Sequence, residues 1–154
     1  MSNKNTQWLV ITDLDGTMLN HDNYAVDLAQ DAITFLQEKK IPVIFNTSKT
    51  YAETISLRQK LDNDAPFIVE NGSCIYLPMD LFDKPLAAGS RDDYWEISLG
   101  VSRYKIDEIL NALRLTDEHC IRLSQCTVEQ AIELTGLNNE QAAQAIAREF
   151  SEPL

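Results

Sequence analysis

The sequence predicts an α/β fold built on a parallel sheet, and three observations carry that prediction. An apolar run, Trp8 to Ile11, ends almost at once in Asp13-Leu14-Asp15-Gly16, which reads as a buried strand opening into a tight loop. Ala25, Leu28, Ala29, Ala32, Ile33 and Leu36 then recur at helical spacing, with cations at Lys39-Lys40 where the helix should end. A second apolar run, Ile41 to Phe45, follows with Pro42 at its start. Strand, helix, strand is a βαβ unit, whose crossover is almost always right-handed. At 154 residues and 44% apolar content, the chain suits one ordinary domain, or a small domain with part of another, around a packed core.

In open α/β sheets, ligands bind beyond the C-terminal tips of the strands, so the pair Asp13 and Asp15 marks the place for chemistry. Two carboxylates this close repel unless a cation or a shared proton compensates them. Mg²⁺, which accepts a few carboxylates together with waters and phosphate oxygens, suits the pair. Asp13 could then attack phosphorus while Asp15 serves as acid and afterwards as base. Gly16 lets the backbone turn near a phosphate, and Thr17 can hydrogen-bond the loop. A strand that merely ends in an Asp-Gly turn is the plainer alternative. A calcium-binding EF-hand loop does not fit, because Met18 stands where that pattern needs glycine. Asp13-Leu14-Asp15-Gly16-Thr17 resembles the first signature motif, DxDGT, of the haloacid dehalogenase (HAD) superfamily of aspartate-nucleophile phosphatases.

The second strand runs into Asn46-Thr47-Ser48-Lys49-Thr50, followed by Tyr51-Ala52-Glu53. Thr50 and Glu53 predict a capping box, so a hydroxyl, an ammonium and free N–H groups converge at one helix N-terminus, a good seat for phosphate. A simple N-cap is the alternative. The cluster resembles the second HAD motif, which implies that Thr47 hydrogen-bonds the transferring phosphoryl group. Thr47-Ser48-Lys49-Thr50 with Glu53 is similar to the mannosyl-3-phosphoglycerate phosphatase family, and Lys49 then takes its basic position.

Ile55, Leu57 and Leu61 continue that helix, Pro66 to Val69 predicts a third strand, and Glu70-Asn71-Gly72 predicts a turn into a returning strand, Ser73 to Tyr76. The resemblance puts Asn71 near the site rim, although a hairpin turn accounts for Asn-Gly by itself. From Pro78 to Asp93 the composition shifts to Pro, Gly, Ala and Asp, which predicts a boundary between residues 1–79 and 80–154. Beyond it, Trp95 to Leu99 reads as a strand and Tyr104 to Leu113 as a helix. Thr127 caps another helix that Gly136 ends, and Asn138 caps a last one reaching about Glu149. Leu134-Thr135-Gly136-Leu137 and Arg148-Glu149-Phe150-Ser151-Glu152-Pro153-Leu154 resemble the family's inserted cap, whereas Arg122-Leu123-Ser124-Gln125 departs from it. Arg148 is a candidate anion contact; a solvated helix-end cation is the alternative.

The resemblance therefore implies a HAD-like Rossmannoid parallel sheet as a partial core over 1–79, with part of an inserted α+β cap over 80–154. It implies Mg²⁺-dependent hydrolysis of a sugar phosphate, mannosyl-3-phosphoglycerate, through an aspartyl-phosphate. Asp13 and Asp15 are the implied catalytic and metal-binding residues, and Thr47, Lys49, Asn71 and Arg148 the implied phosphate- or substrate-binding ones. The third-motif Lys and the fourth-motif acidic pair of the family are not found, and no Lys occurs after Lys105. The expectation is a truncated chain that binds Mg²⁺ weakly, is inactive alone, and exposes its first strand as an apolar edge open to a homodimer. A non-catalytic sugar-phosphate- or protein-binding remnant is one alternative; another HAD sugar phosphatase or a phosphomutase is a second.

Composition excludes other classes. A net charge of −11 opposes nucleic acid and anionic membranes. No apolar run reaches membrane-spanning length, and Met1 to Gln7 lacks a signal-peptide core, so a cytoplasmic location is expected. Cys74, Cys120 and Cys126 form no disulfide framework, and His119 with Cys120 and Cys126 matches no zinc spacing.

Overall fold

The computed structural model describes residues 8–19, 29–113 and 120–154; Ala25, Leu28 and His119 lie outside them. β1 (Val10–Thr12), β2 (Val43–Asn46) and β3 (Phe67–Val69) run parallel, with Val10 opposite Val43 and Phe45 opposite Phe67. Between them lie the helices α1 (Gln30–Glu38) and α2 (Tyr51–Lys60), completing the predicted β-α-β-α-β order. After a 3-10 turn at Glu70–Gly72 the chain doubles back as β4 (Cys74–Pro78), antiparallel to β3. Two further strands, β5 (Gly89–Arg91) and β6 (Tyr94–Ser98), extend this to a six-stranded sheet in the order β1-β2-β3-β4-β6-β5. Three helices follow: α3 (Arg103–Ala112), α4 (Val128–Thr135) and α5 (Asn139–Ile146).

Alternation explains the sheet's inner face. Phe67 and Val69 in β3, and Cys74 and Tyr76 in β4, are fully buried while their neighbours are partly exposed. Phe67 and Tyr76 stack at 5.0 Å between ring centroids, and Tyr51 from α2 closes over Tyr76 at 4.6 Å. The buried Arg58 guanidinium lies 4.4 Å from the Phe67 ring centroid. It donates to the Ala65 carbonyl, Asn63 Oδ1 and the Tyr94 hydroxyl, which offsets the cost of removing a cation from water.

Three local features differ from the sequence expectations for identifiable reasons. β1 begins at Val10 rather than Trp8, because its first ladder bond is Val10 N–H to the Pro42 carbonyl and Pro42 has no N–H to extend pairing backwards. The Pro78 to Asp93 stretch contains β5, held by its pairing with β6. The sheet runs on past residues 79 and 80, β6 pairing with β4 and Tyr76 standing opposite Glu96. α5 stops at Ile146 rather than near Glu149, because the Glu149 and Phe150 N–H groups donate to the Glu70 carboxylate instead of continuing the helix.

α5 lies against α2. Thr50 Oγ1 donates to the Gln144 carbonyl at 2.9 Å, and Gln144 Nε2 donates to Ser56 Oγ at 2.8 Å. The C-terminal part of the chain is thereby packed beside the tips of β1 and β2. Among the described residues, no helix is long and apolar enough to cross a membrane.

Candidate active site

β1 ends at Thr12, and the next residues form a tight loop anchored by Leu14. Its side chain is fully buried, and its carbonyl accepts N–H bonds from Thr17, Met18 and Leu19. The loop closes through Gly16, at φ +70°, whose N–H donates to the Leu19 carbonyl; this left-handed position favours glycine. Burying Leu14 sends the residues on either side of it the other way. Asp13 is exposed, its Oδ1 accepting the Leu14 N–H at 2.7 Å, and Asp15 is half-buried.

Beside this loop, β2 delivers Thr47, which is 2% exposed. Thr47 Oγ1 accepts the Lys49 N–H at 3.1 Å, so its own hydroxyl hydrogen remains free for an acceptor in front of the strand. Thr50 and Glu53 form the predicted capping box. Glu53 also lies 3.8 Å from Lys49 Nζ, while Lys49 Nζ reaches across to Asp15 Oδ1 at 2.9 Å. That ion pair joins the tips of β1 and β2, the two strands that the sequence singled out.

The opposite wall comes from the C-terminal part of the chain. Arg148 Nη1 donates to the Ser48 carbonyl at 3.1 Å and to Ser151 Oγ at 3.0 Å. Asp15, Ser48, Lys49, Glu53, Thr135 and Arg148 line a cleft of about 180 Å³, roofed by Leu123, Leu137 and Ala145. A larger groove of about 670 Å³ lies at the N-terminal ends of β2 and β3, around Pro42, Val43 and Pro66. Ligands of open α/β sheets bind at the other end of the strands, where the smaller cleft is.

Asp15, Lys49 and Arg148 are thus gathered in one cleft, whereas Asp13 and Thr47 stand next to it in sequence, each two residues before a lining residue, without lining it themselves. Asn71 is not part of that lining. It sits at φ +59°, a conformation Asn tolerates, its side chain is exposed, and its N–H supports the Thr47 carbonyl at 3.0 Å. Leu123 and Ala145 escaped sequence reasoning because an apolar or small residue on a helix or turn carries no mark of what it will cover. Glu53 was legible only as a cap.

The donors suit a hard cation. Among the described residues no group of three or more His, Cys, Asp and Glu gathers, which leaves the Asp13 and Asp15 carboxylates. Mg²⁺ is held by one or two carboxylates together with substrate phosphates, and so fits this pair. Asp15 Oδ1 is buried and meets the Lys49 ammonium at 2.9 Å.

Comparison with known proteins places the chain in a family. The chain is 37% identical over 146 residues to the glucosyl-3-phosphoglycerate/mannosyl-3-phosphoglycerate phosphatase of Methanococcoides burtonii, covering 94% of this chain and 54% of that protein. It is 35% identical over 148 residues to the mannosyl-3-phosphoglycerate phosphatase of Pyrococcus furiosus, covering 95% of this chain and 59% of that one. The chain therefore spans about half the length of these relatives. Among solved structures, a haloacid dehalogenase-like hydrolase from B. subtilis superposes with a TM-score of 0.50 at 23% identity, over 69% of this chain and 33% of that one. A haloalkanoate-superfamily phosphatase from Bacteroides thetaiotaomicron superposes with a TM-score of 0.51 at 16% identity, over 76% and 39%. These two likenesses concern the fold. With β1, the Asp13 loop and the strands through β5 matched over residues 10–90 by the family of that description, the chain belongs to the haloacid dehalogenase-like hydrolases.

Proposed function

We propose that the chain carries the nucleophile-bearing part of a Mg²⁺-dependent phosphatase acting on a sugar phosphate of the mannosyl-3-phosphoglycerate type. The observation that carries this reading is the 2.9 Å pair between Lys49 and Asp15, which sets a phosphate-binding cation against an Asp-x-Asp strand tip. The substrate class rests on the phosphatase relatives named above.

Asp13 is the nucleophile: a carboxylate oxygen bonds to phosphorus as the bond from phosphorus to the leaving oxygen breaks, giving an aspartyl-phosphate. Asp15 protonates the leaving alkoxide, then takes a proton from the water that hydrolyses the intermediate and releases inorganic phosphate. A phosphate dianion is a stronger partner for Lys49 than one carboxylate, so its arrival draws Nζ off Asp15, which takes up a proton from solvent before handing it to the leaving oxygen. Thr47 donates its hydroxyl hydrogen to a phosphoryl oxygen, and Arg148 offers a second cation from the opposite wall. Asp13 and Asp15 would hold Mg²⁺, which supplies charge neutralisation as the nucleophile and phosphate approach.

The test is phosphate release from mannosyl-3-phosphoglycerate with Mg²⁺. Asp13→Asn should abolish it, and Asp15→Asn should slow it by about 10² to 10⁴. Undiminished turnover in Asp13→Asn overturns the assignment.

A further inference from the structure

We propose that Glu70, which the mechanism above does not use, is a positioning residue that holds Arg148 against the phosphate loop. The inference rests on the phosphatase reading of this cleft.

Three observations point to it. Glu70 is only 2% exposed and has no cation partner among the described residues. Burying such a carboxylate is costly unless donors surround it. Its donors all come from one segment: Glu149 N–H to Oε1 at 3.0 Å, Phe150 N–H to Oε2 at 3.0 Å, and Ser151 Oγ to Oε2 at 2.5 Å. Finally, Glu70 and Asn71 are consecutive non-glycine residues at φ +47° and +59°. Left-handed strain of this kind persists only where the surroundings over-determine it, and it concentrates at functional sites.

These bonds close a ring that includes two residues of the cleft lining, Lys49 and Arg148. The Glu70 N–H donates to the Lys49 carbonyl at 3.0 Å, and the Asn71 N–H to the Thr47 carbonyl at 3.0 Å. The Glu70 side chain holds Ser151, Ser151 Oγ accepts from Arg148 Nη1, and the same Nη1 donates to the Ser48 carbonyl. One residue thus grips the loop 47–49 by its backbone and the Arg148 segment by its carboxylate. Arg148 Nη1 is held by two acceptors, the Ser48 carbonyl and Ser151 Oγ, which keeps its guanidinium in the cleft lining.

Replacing the side chain leaves the backbone bonds to Lys49 and Thr47 intact, which separates the two grips. Glu70→Gln is nearly isosteric, but its amide nitrogen cannot accept, so at least one of the three donors loses its partner. Ser151→Ala breaks the same chain at its middle link and guards against a Glu70 variant that fails to fold. The experiment is calorimetric titration of inorganic phosphate, with Mg²⁺ present, into the chain and its variants, with amide hydrogen exchange at Glu149 and Phe150 beside it. Expected are faster exchange at those amides in Glu70→Gln and roughly tenfold weaker phosphate binding in both variants. In an Arg148→Ala background, Glu70→Gln should weaken phosphate binding no further, because its effect passes through Arg148. Equal phosphate affinity in wild type and Glu70→Gln, or losses that simply add in the double variant, overturn the positioning role and leave the phosphatase reading standing. A wild-type chain that binds no phosphate overturns both.

Discussion

Thr47 is committed twice over. Its oxygen accepts the Lys49 N–H, which fixes the turn leaving β2, and its hydrogen remains available to a phosphoryl group. Thr47→Val keeps the shape and removes both. The variant should lose about 1–3 kcal/mol of stability, because the Lys49 N–H is left without an acceptor. In the phosphatase assay, kcat/KM should fall by the equivalent of about 2–4 kcal/mol. Denaturant unfolding measures the first and phosphatase kinetics the second; unchanged kinetics would reduce the hydroxyl to a turn former. At this scale much was legible. Asp13, Asp15, Thr47 and Lys49 are polar residues placed directly after apolar runs, where a strand must end and its tip must face solvent. Glu70 was not legible, because a charged residue in a turn ordinarily faces water, and only residues 149–151, roughly 80 positions away, make it a buried acceptor.

Among the elements, α2 and α5 depend on one side chain. Thr50 accepts the Glu53 N–H as the N-cap of α2 and donates to the Gln144 carbonyl in α5, at zero exposure. Thr50→Ala removes a cap worth about 1 kcal/mol and strands a carbonyl at a similar cost. The expected loss is about 2 kcal/mol, read from the denaturant midpoint. A loss within about 0.5 kcal/mol, the range of an ordinary surface substitution, would mean that water replaces both bonds. The capping box itself follows from the spacing of Thr50 and Glu53. The bond to α5 does not, since nothing local to either helix sets which carbonyl will lie over the hydroxyl. The helix ends show the same division: Gly136, at φ +72°, stops α4 as its sequence position predicts, whereas α5 is cut short by the distant Glu70.

Over the whole molecule, two consequences of the sheet are open to measurement. Burial raises the Tyr51 phenol above its ordinary range, with Asp92 adding a hydrogen bond and a like charge, and burial raises the Tyr76 phenol also. Arg91 opposes the shift at Tyr51, its guanidinium lying 3.9 Å from that ring's centroid. Both phenols stay neutral in the fold while the unfolded chain ionises near pH 10, so their contribution is complete below about pH 10 and is lost above it. Unfolding free energy should therefore fall above about pH 10, and Tyr76→Phe should flatten that fall; an unchanged slope would rule Tyr76 out as a source. The second consequence is the edge. β1 is terminal in the sheet, and Trp8, Leu9 and Ile11 are exposed. We expect concentration-dependent self-association of this chain by sedimentation, reduced by Ile11→Lys, since a charge on an edge strand discourages pairing. A chain that stays monomeric at every concentration would show that the edge is already protected.

The sequence by itself determined the order of strands and helices from β1 to β4, the helix caps at Thr50, Thr127 and Asn138, and the two strand tips that carry Asp13, Asp15, Thr47 and Lys49. Periodicity, capping chemistry and the ends of apolar runs are local properties, written within a few residues of where they act. Only the tertiary structure decided that β6 continues the same sheet, that α5 packs on α2, and that Arg148 and Lys49 line one cleft while Glu70 takes the hydrogen bonds of residues 149–151. Those pairings join residues far apart in the chain through hydrogen bonds and burial that no short stretch of sequence specifies alone.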